Sequence, residues 1–255
     1  MKKTASFFLL IIFTFLSCSE DNDTQQKKVA VKLKFTHNWD GTPVTSSDFN
    51  SFKFTNKNGE KISIERLRYL VSTINLGKNV YGNLVNGSYN LIDIDENTGL
   101  EISFIEIPTG NHRLKFTFGF SDTNNQDGIY TDLNSVNFNV PGMLGGGYHY
   151  MQFDGKYKNA NNQDANFNYH AIRAVDKTDP NDLKFDDTSF EVDLGNIEIT
   201  NNTTIEIKMN IAEWFKNPNT WNLNLLNTVL MPNFDAQKLM SANGKSVFSL
   251  GEIIQ

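Results

Sequence analysis

Regular alternation of apolar and polar residues runs through this chain from Val29 onward and restricts it to a sheet-based fold. Val31, Leu33 and Phe35 alternate with two lysines and a threonine, so one face of this segment is expected to lie against a core. The same period of two recurs at 61–75, 88–94, 101–107, 112–120, 148–153, 167–175, 190–199 and 203–211. Each of these segments is therefore predicted to be a β-strand.

Turn signals separate the predicted strands. They are Asp40-Gly41, Asn58-Gly59, Asn86-Gly87, Thr109-Gly110 and Gly195-Asn196. Because no helical pattern comes between the strands, we predict an all-β fold, an antiparallel β-sandwich or flattened barrel. Short helical turns are expected near 45–52, 212–216 and 234–243. One β domain over 29–255 accounts for the whole pattern.

The amino-terminal segment has the features of a lipoprotein export signal. Two lysines precede an apolar run, Phe7 to Leu16, which is too short to span a bilayer but suits a secretory signal. Phe15-Leu16-Ser17-Cys18 resembles a bacterial lipobox, and Cys18 is the only cysteine. We predict a signal peptide at 1–17, lipidation of Cys18, and an acidic and polar tether at 18–28. The alternative is an ordinary signal peptide with a chance cysteine.

This arrangement predicts an outer-membrane lipoprotein exposed on the cell surface, as in Bacteroidetes-like bacteria. The composition limits its function further. The chain has 23 basic and 29 acidic residues, a formal net charge of −6, so phosphate backbones would be repelled and nucleic acid is not an expected partner. It contains no Gly-x-Ser-x-Gly, Walker A or His-Glu-x-x-His motif. We therefore expect a protein that is not an enzyme.

The four histidines are the candidate metal ligands. They are His37, His112, His149 and His170, and alternation places each on the apolar face of its strand, His170 together with Ile172 and Ala174. A buried imidazole needs a hydrogen-bond partner or a metal, so satisfied core residues and ligands both remain open readings. Imidazole suits copper and zinc, and the thioethers of Met143 and Met151 would favour Cu(I).

The glycine-rich stretch at 145–155, with Tyr148-His149-Tyr150 at its centre, adds a resemblance. Together with the segments around it, this stretch resembles the MbnP-like copper-binding domain family, named for the partner protein of methanobactin operons. The matching pieces occur in order along nearly the whole mature chain: 35–37, 40–41, 59–72, 89–93, 118–122, 145–155, 167–170, 194–195, and 231–248 in part.

The resemblance implies an all-β secreted or surface-exposed protein that binds copper through histidines, for metal capture or delivery. Some members also use a tryptophan that a partner di-haem peroxidase oxidises to kynurenine. In the family pattern a tryptophan-rich run follows a methionine. Here the corresponding residues are Met143-Leu144-Gly145-Gly146, without a tryptophan, and the nearest surrogate is Trp39, two residues after His37. The partners implied are the membrane, through the anchor, and a di-haem peroxidase-type protein or an outer-membrane transporter.

We expect His149 and His170 to be the main ligands of a copper cofactor, with His37 as a third. His149 and His170 flank the turn at 156–166, so a hairpin could bring them side by side. Two other functions stay open. One is a metal-free binding or adhesion β-sandwich for a glycan or protein partner, and the other is a hydrolase with paired carboxylates.

Substitution of the anchor residue tests the lipoprotein prediction. Cys18→Ala should leave a soluble, unlipidated or uncleaved protein, because the sulfur that carries the diacyl group is lost. Sedimentation with membranes and fatty-acid labelling would measure this, with Ser19→Ala as the matched control. Unchanged membrane association of Cys18→Ala would contradict the prediction.

Overall fold

The structure is a computed structural model that describes residues 26–77, 79–80, 89–179 and 181–255. The predicted signal peptide, Cys18, most of the tether and the Asn86-Gly87 turn lie outside the described residues. Within the described ranges, no helix combines the length and apolar character needed to cross a membrane.

Strands account for most of the regular structure. They are β1 (Lys28–Trp39), β2 (Thr42–Pro43), β3 (Phe52–Thr55), β4 (Lys61–Leu76), β5 (Asn79–Val80), β6 (Tyr89–Asp93), β7 (Glu101–Pro108), β8 (Gly110–Phe118), β9 (Met151–Lys158), β10 (Asp164–Ala171), β11 (Ala174–Asp176), β12 (Lys184–Asp186), β13 (Phe190–Ile199), β14 (Thr203–Asn210) and β15 (Phe248–Ile254). The helices are α1 (Thr131–Ser135) and α2 (Phe234–Gly244), and single 3-10 turns occur at Ser46–Asp48, Gly142–Leu144 and Ile211–Phe215.

Two main sheets carry most of these strands, and β11 and β12 form a separate two-stranded sheet. The smaller sheet has the order β15-β14-β1-β2, with β7 also paired to β1. The larger has the order β10-β9-β4-β8-β13, and β3, β5 and β6 pair with β4. The predicted all-β sandwich is confirmed, and its pairs are antiparallel except β1 with β14, which is parallel. A parallel pair needs a long connection, and nearly the whole domain lies between these two strands in the sequence.

The alternation in β1 produces the expected inner face. Val31, Leu33 and Phe35 are buried, and so are His37 and Trp39, which continue the same parity. They pack toward aromatic side chains of the larger sheet, and Phe35 meets Phe116 edge to face at 6.2 Å. Each fully buried side chain of this size contributes roughly 1.5–3 kcal/mol. The side chains packed between the two sheets are therefore the main source of stability.

The face of β10 differs from the prediction. Phe167, Tyr169 and Ala171 point into the core, which places His170 on the outer face of the larger sheet. The expectation that His170 shares an apolar face with Ile172 and Ala174 does not hold within β10, where the other residues on the face of His170 are exposed. Beyond the strand, Ile172 lies in a small apolar cluster apart from the main core, against which Met231 packs. The strand ends at Ala171, and residues of both parities are buried beyond it, so the later pattern does not extend back into β10.

The strand predicted to begin at 148 also begins later. Tyr148 and His149 precede β9, which starts at Met151. The three glycines before them, at 145–147, all have positive φ values of 89°, 65° and 80°, a conformation that glycine tolerates and a strand does not use. This bend leaves His149 outside the strand.

Two segments cover part of the outer face of the larger sheet. The first segment runs through α1 to His149. The guanidinium of Arg68, on β4, donates to the carbonyl of Val136 in this segment at 2.9 Å. The second is the chain leading into α2, where the amide of Gln237 donates to the carbonyls of His170 (2.8 Å) and Leu230 (3.0 Å). The same amide accepts from the N–H of Ile172 at 2.8 Å. These contacts place His170 between the larger sheet and the segment that leads into α2.

His37 provides a test of the core. Its Nε2 lies 3.0 Å from the hydroxyl of Tyr69, and burial lowers the pKa of the imidazole from 6.5 to about 4. Below pH 6.5 the unfolded chain binds a proton at this residue that the native chain does not, so stability is complete above pH 6.5 and is lost as the pH falls toward 4.

We predict that the titration of His37 lowers the free energy of unfolding by about 2 kcal/mol when the pH falls from 7 to 5. In His37→Phe, which keeps a ring but cannot titrate, this part of the acid dependence should disappear, even if the variant starts less stable. Urea unfolding of both proteins at the two pH values would measure it. Equal losses in the two proteins would contradict the assignment.

Candidate metal centre

His149 and His170 meet on the outer face of the larger sheet. Their ring centroids lie 5.2 Å apart and the planes are nearly perpendicular, at 83°. The β9–β10 hairpin brings them close, but not as a cross-strand pair: the residue in register with His170 is Gln152, and His149 approaches from the segment before β9. Two imidazoles from separate segments therefore face each other.

The hydrogen bonds of His149 indicate which ring nitrogen carries the proton. Nδ1 lies 3.0 Å from the carbonyl oxygen of Phe138, which also accepts the backbone N–H of His149 at 2.9 Å. Because a carbonyl oxygen only accepts, Nδ1 carries the proton and Nε2 presents a lone pair. Burial, reinforced by the neighbouring His170, lowers the pKa of His149 to about 3. The ring is thus neutral at physiological pH.

A small polar network maintains this orientation. The amide nitrogen of Gln152 is 3.3 Å from Nδ1 of His149, but it donates to the carbonyl of Asn137 at 3.1 Å. Its amide oxygen accepts from Nε of Arg68 at 2.7 Å, which sets the direction of the amide. The segment that carries His149 is therefore tied to β4 and β9 through side chains of the outer face.

A carboxylate orients His170. Its Nε2 lies 2.8 Å from Oδ1 of Asp154, which also accepts from Asn168 at 2.6 Å, while Arg66 donates to Oδ2 at 2.6 Å. Burial opposes ionisation of Asp154, but the hydrogen bonds from His170 and Asn168 and the charge of Arg66 outweigh it and lower the pKa to about 2. With Nε2–H directed at the carboxylate, Nδ1 is the nitrogen available to a metal.

The site opens to solvent through a pocket of about 220 Å³, which His170 and Met231 line together with Asn168, Val229 and Leu230. Sδ of Met231 lies 3.2 Å from Nε2 of His149. At the rim, Val229 has a φ of 56° and is 75% exposed, a strained conformation for a β-branched residue. A thioether and two imidazoles thus converge below an open rim.

His37 is not brought to this pair. It contacts Tyr69, whose side chain faces the core between the sheets. The preceding residue, Arg68, points to the opposite face and is in register with Gln152, itself opposite His170. The backbone of the larger sheet therefore separates His37 from His170, and the expectation of His37 as a third ligand to the same metal does not fit this placement.

The other side chains considered from sequence also lie elsewhere. Met143 is 72% exposed, and Met151 is buried in register with Tyr69, on the core side. Trp39 stacks on Phe54 with centroids 4.9 Å apart and behaves as a core aromatic. His112 is half-buried at the start of β8, with Nε2 2.6 Å from the carbonyl of Pro108. Within the described residues, no hydrogen bond or ring contact joins any of these side chains to the His149–His170 pair.

Sequence reasoning missed Met231 and Asp154 as parts of the site. Met231 lies in an irregular segment without periodicity, and Asp154 occupies an ordinary outward position of β9. In the part of the chain that the structure describes, no three His, Cys, Asp or Glu side chains cluster as a metal site. The donors that converge are two imidazole nitrogens and a sulfur, and this set suits copper.

Comparison with known proteins identifies the family. A family model described as MbnP matches residues 28–232, well over half of the chain. No curated protein matches the sequence. Among solved structures, MbnP from Methylosinus trichosporium is similar, with 10% identity, coverage of 74% of this chain and 78% of that chain, and a TM-score of 0.46. On the strength of the family model, the chain belongs to the MbnP family.

Proposed function

We propose that this protein binds copper through His149 and His170, for capture or delivery of the metal. The observation that carries the proposal is the direct approach of the two rings, with 5.2 Å between centroids, on a partly covered face that opens into a pocket. Neutral imidazole is a good copper ligand. Membership of the MbnP family and the resemblance to copper-binding members support the same metal.

The protonation of His149 suits metal binding. A ligand must be deprotonated, and protons compete with the metal wherever the imidazole titrates. Because burial lowers the pKa of His149 to about 3, no proton occupies its Nε2 at neutral pH. Carbonyl and carboxylate acceptors on the remaining nitrogens, from Phe138 and Asp154, are the outer-shell partners typical of metal-binding histidines.

The proposed setting is the cell envelope. Lipidation of Cys18 would hold the domain at the outer membrane, and the polar tether would keep the pocket accessible on the cell surface. The protein would then exchange copper with a partner, a di-haem peroxidase-type protein or an outer-membrane transporter. Its role is binding and transfer rather than catalysis.

The competing proposal is a metal-free sandwich that binds a glycan or a protein. It has one favourable observation, because each imidazole of the pair already has a hydrogen-bond acceptor on one nitrogen, from Phe138 and Asp154. In that case His149 and His170 would be satisfied structural residues, as His37 is. The two proposals differ in what happens when copper is offered.

Single substitutions decide between them. His149→Ala and His170→Ala should each lower copper affinity by about 100-fold or more, since loss of an outer-shell partner alone costs about 10- to 100-fold. His112→Ala, at a distant half-buried histidine, is the matched control and should bind like the unmodified protein. Copper content after equilibrium dialysis measures the effect, and circular dichroism verifies the fold.

Full copper stoichiometry and affinity in both single variants would place the site elsewhere. Failure of the unmodified, folded protein to bind copper at all would favour the metal-free sandwich.

A further inference from the structure

We propose that a pocket at the interrupted edge of β1 binds a small carboxylate with an apolar body. The pocket has a volume of about 480 Å³ and is lined by residues of β1, β2 and β14 and of the turns at 41–45 and 94–100. It shares no lining residue with the pocket beside His170. The proposal therefore does not depend on copper binding.

The pocket forms because β1 lacks a continuous partner on one side. The ladder with β7 ends at position 34 of β1, and the ladder with β2 begins at position 38. Only single backbone bonds border the gap. The N–H of Phe35 donates to the carbonyl of Leu100 at 2.8 Å, and the N–H of Val44 donates to the carbonyl of His37 at 2.9 Å. The neighbouring chains separate between these two bonds and leave the pocket.

The segments around the pocket are fixed to each other and to the larger sheet. The amide of Asn97 donates to the hydroxyl of Ser46 at 3.1 Å, which joins the turn after β6 to the turn after β2. The N–H of Ile94 donates to the carbonyl of Leu67, on β4, at 3.1 Å. The pocket is thus formed before a ligand enters, as is usual for small-molecule sites of this volume.

The inner wall of the pocket is mainly apolar. Phe35, Val44 and Ile94 line it and are buried, and the half-buried Leu100 completes the wall. A ligand body that covers these side chains should itself be apolar, because a polar body would lose water here without gaining a partner.

His37 adds one hydrogen-bond donor to this wall. The buried hydroxyl of Tyr69 has Nε2 of His37 as its acceptor at 3.0 Å, so the proton of the neutral ring is on Nδ1. Within the described residues Nδ1 has no hydrogen-bond partner, and it is not one of the fully enclosed polar atoms. This buried histidine therefore retains an N–H for an oxygen of a ligand in the pocket that it lines.

The charges around the pocket favour an anion. Lys34 and Lys208 line it together with one acid, Glu206, which pairs with Lys208 at 3.3 Å. Lys34 has no hydrogen bond or ion pair among the residues that the structure describes, and Glu101, opposite it in the ladder, pairs with Lys32 at 2.8 Å. One positive charge is thus in excess here, although the whole chain is acidic. Carboxylate oxygens, which only accept, match both the ammonium group and the histidine N–H.

Titration with simple acids tests the proposal. Phenylacetate and octanoate, followed by NMR, should shift the signals of Val44, Ile94 and Leu100, and neutral phenylacetamide should bind at least about tenfold more weakly than phenylacetate. Lys34→Met keeps the length of the side chain and should weaken phenylacetate by about tenfold or more, because a hydrogen bond to a charged group is lost. Lys61→Met, at an exposed lysine of another strand, is the matched control and should bind phenylacetate like the unmodified protein.

Nitrogen-15 signals of the histidine rings locate the bound acid. Phenylacetate should shift the ring nitrogens of His37 and leave those of His149 and His170 unchanged. The proposal is overturned if neither acid affects the pocket, if phenylacetamide binds as tightly as phenylacetate, or if Lys34→Met retains full affinity. None of these results bears on copper binding, which is measured separately.

Discussion

The buried amide of Gln237 is the interaction on which the site depends. It joins three separate backbone groups, the carbonyls of His170 and Leu230 and the N–H of Ile172, at 2.8–3.0 Å. These groups belong to the end of β10, the chain that follows it and the segment that carries Met231. Each buried backbone group left without a partner costs about 1–3 kcal/mol, so the three segments are held together strongly. The Gln237 amide therefore fixes the backbone of His170 relative to the segment that carries Met231.

The larger sheet separates stability from function. Its inner face, with the smaller sheet, encloses the aromatic core in which His37 contacts Tyr69. Its outer face carries His170 and the polar residues that orient it, under two covering segments. Because neighbouring residues of a strand point to opposite faces, one strand serves both purposes. Substitutions at the pair should therefore affect the proposed metal binding more than folding.

The sequence was sufficient to predict the sandwich and most of its longer strands, because alternation is a local signal. It also predicted that His149 and His170 lie close together, but the expected hairpin pair is not formed, since His149 precedes β9 and Gln152 is in register with His170. It was not sufficient for the face of His170, since β10 ends at Ala171 and the apolar pattern changes phase there. Met231 could not be predicted from periodicity at all. It reaches His149 across 82 positions of sequence, through a segment placed by the long-range contacts of Gln237.

Copper is proposed to bind at His149 and His170 and at neither of the other histidines. Nitrogen-15 spectra of the histidine side chains during anaerobic addition of Cu(I) test it most directly, because Cu(I) is diamagnetic and each ring nitrogen reports its own ligand. Copper bound at the pair should give large shifts for Nε2 of His149 and Nδ1 of His170 and leave His37 and His112 unchanged. Shifts confined to His37 or His112, or no shift in any ring, would contradict it.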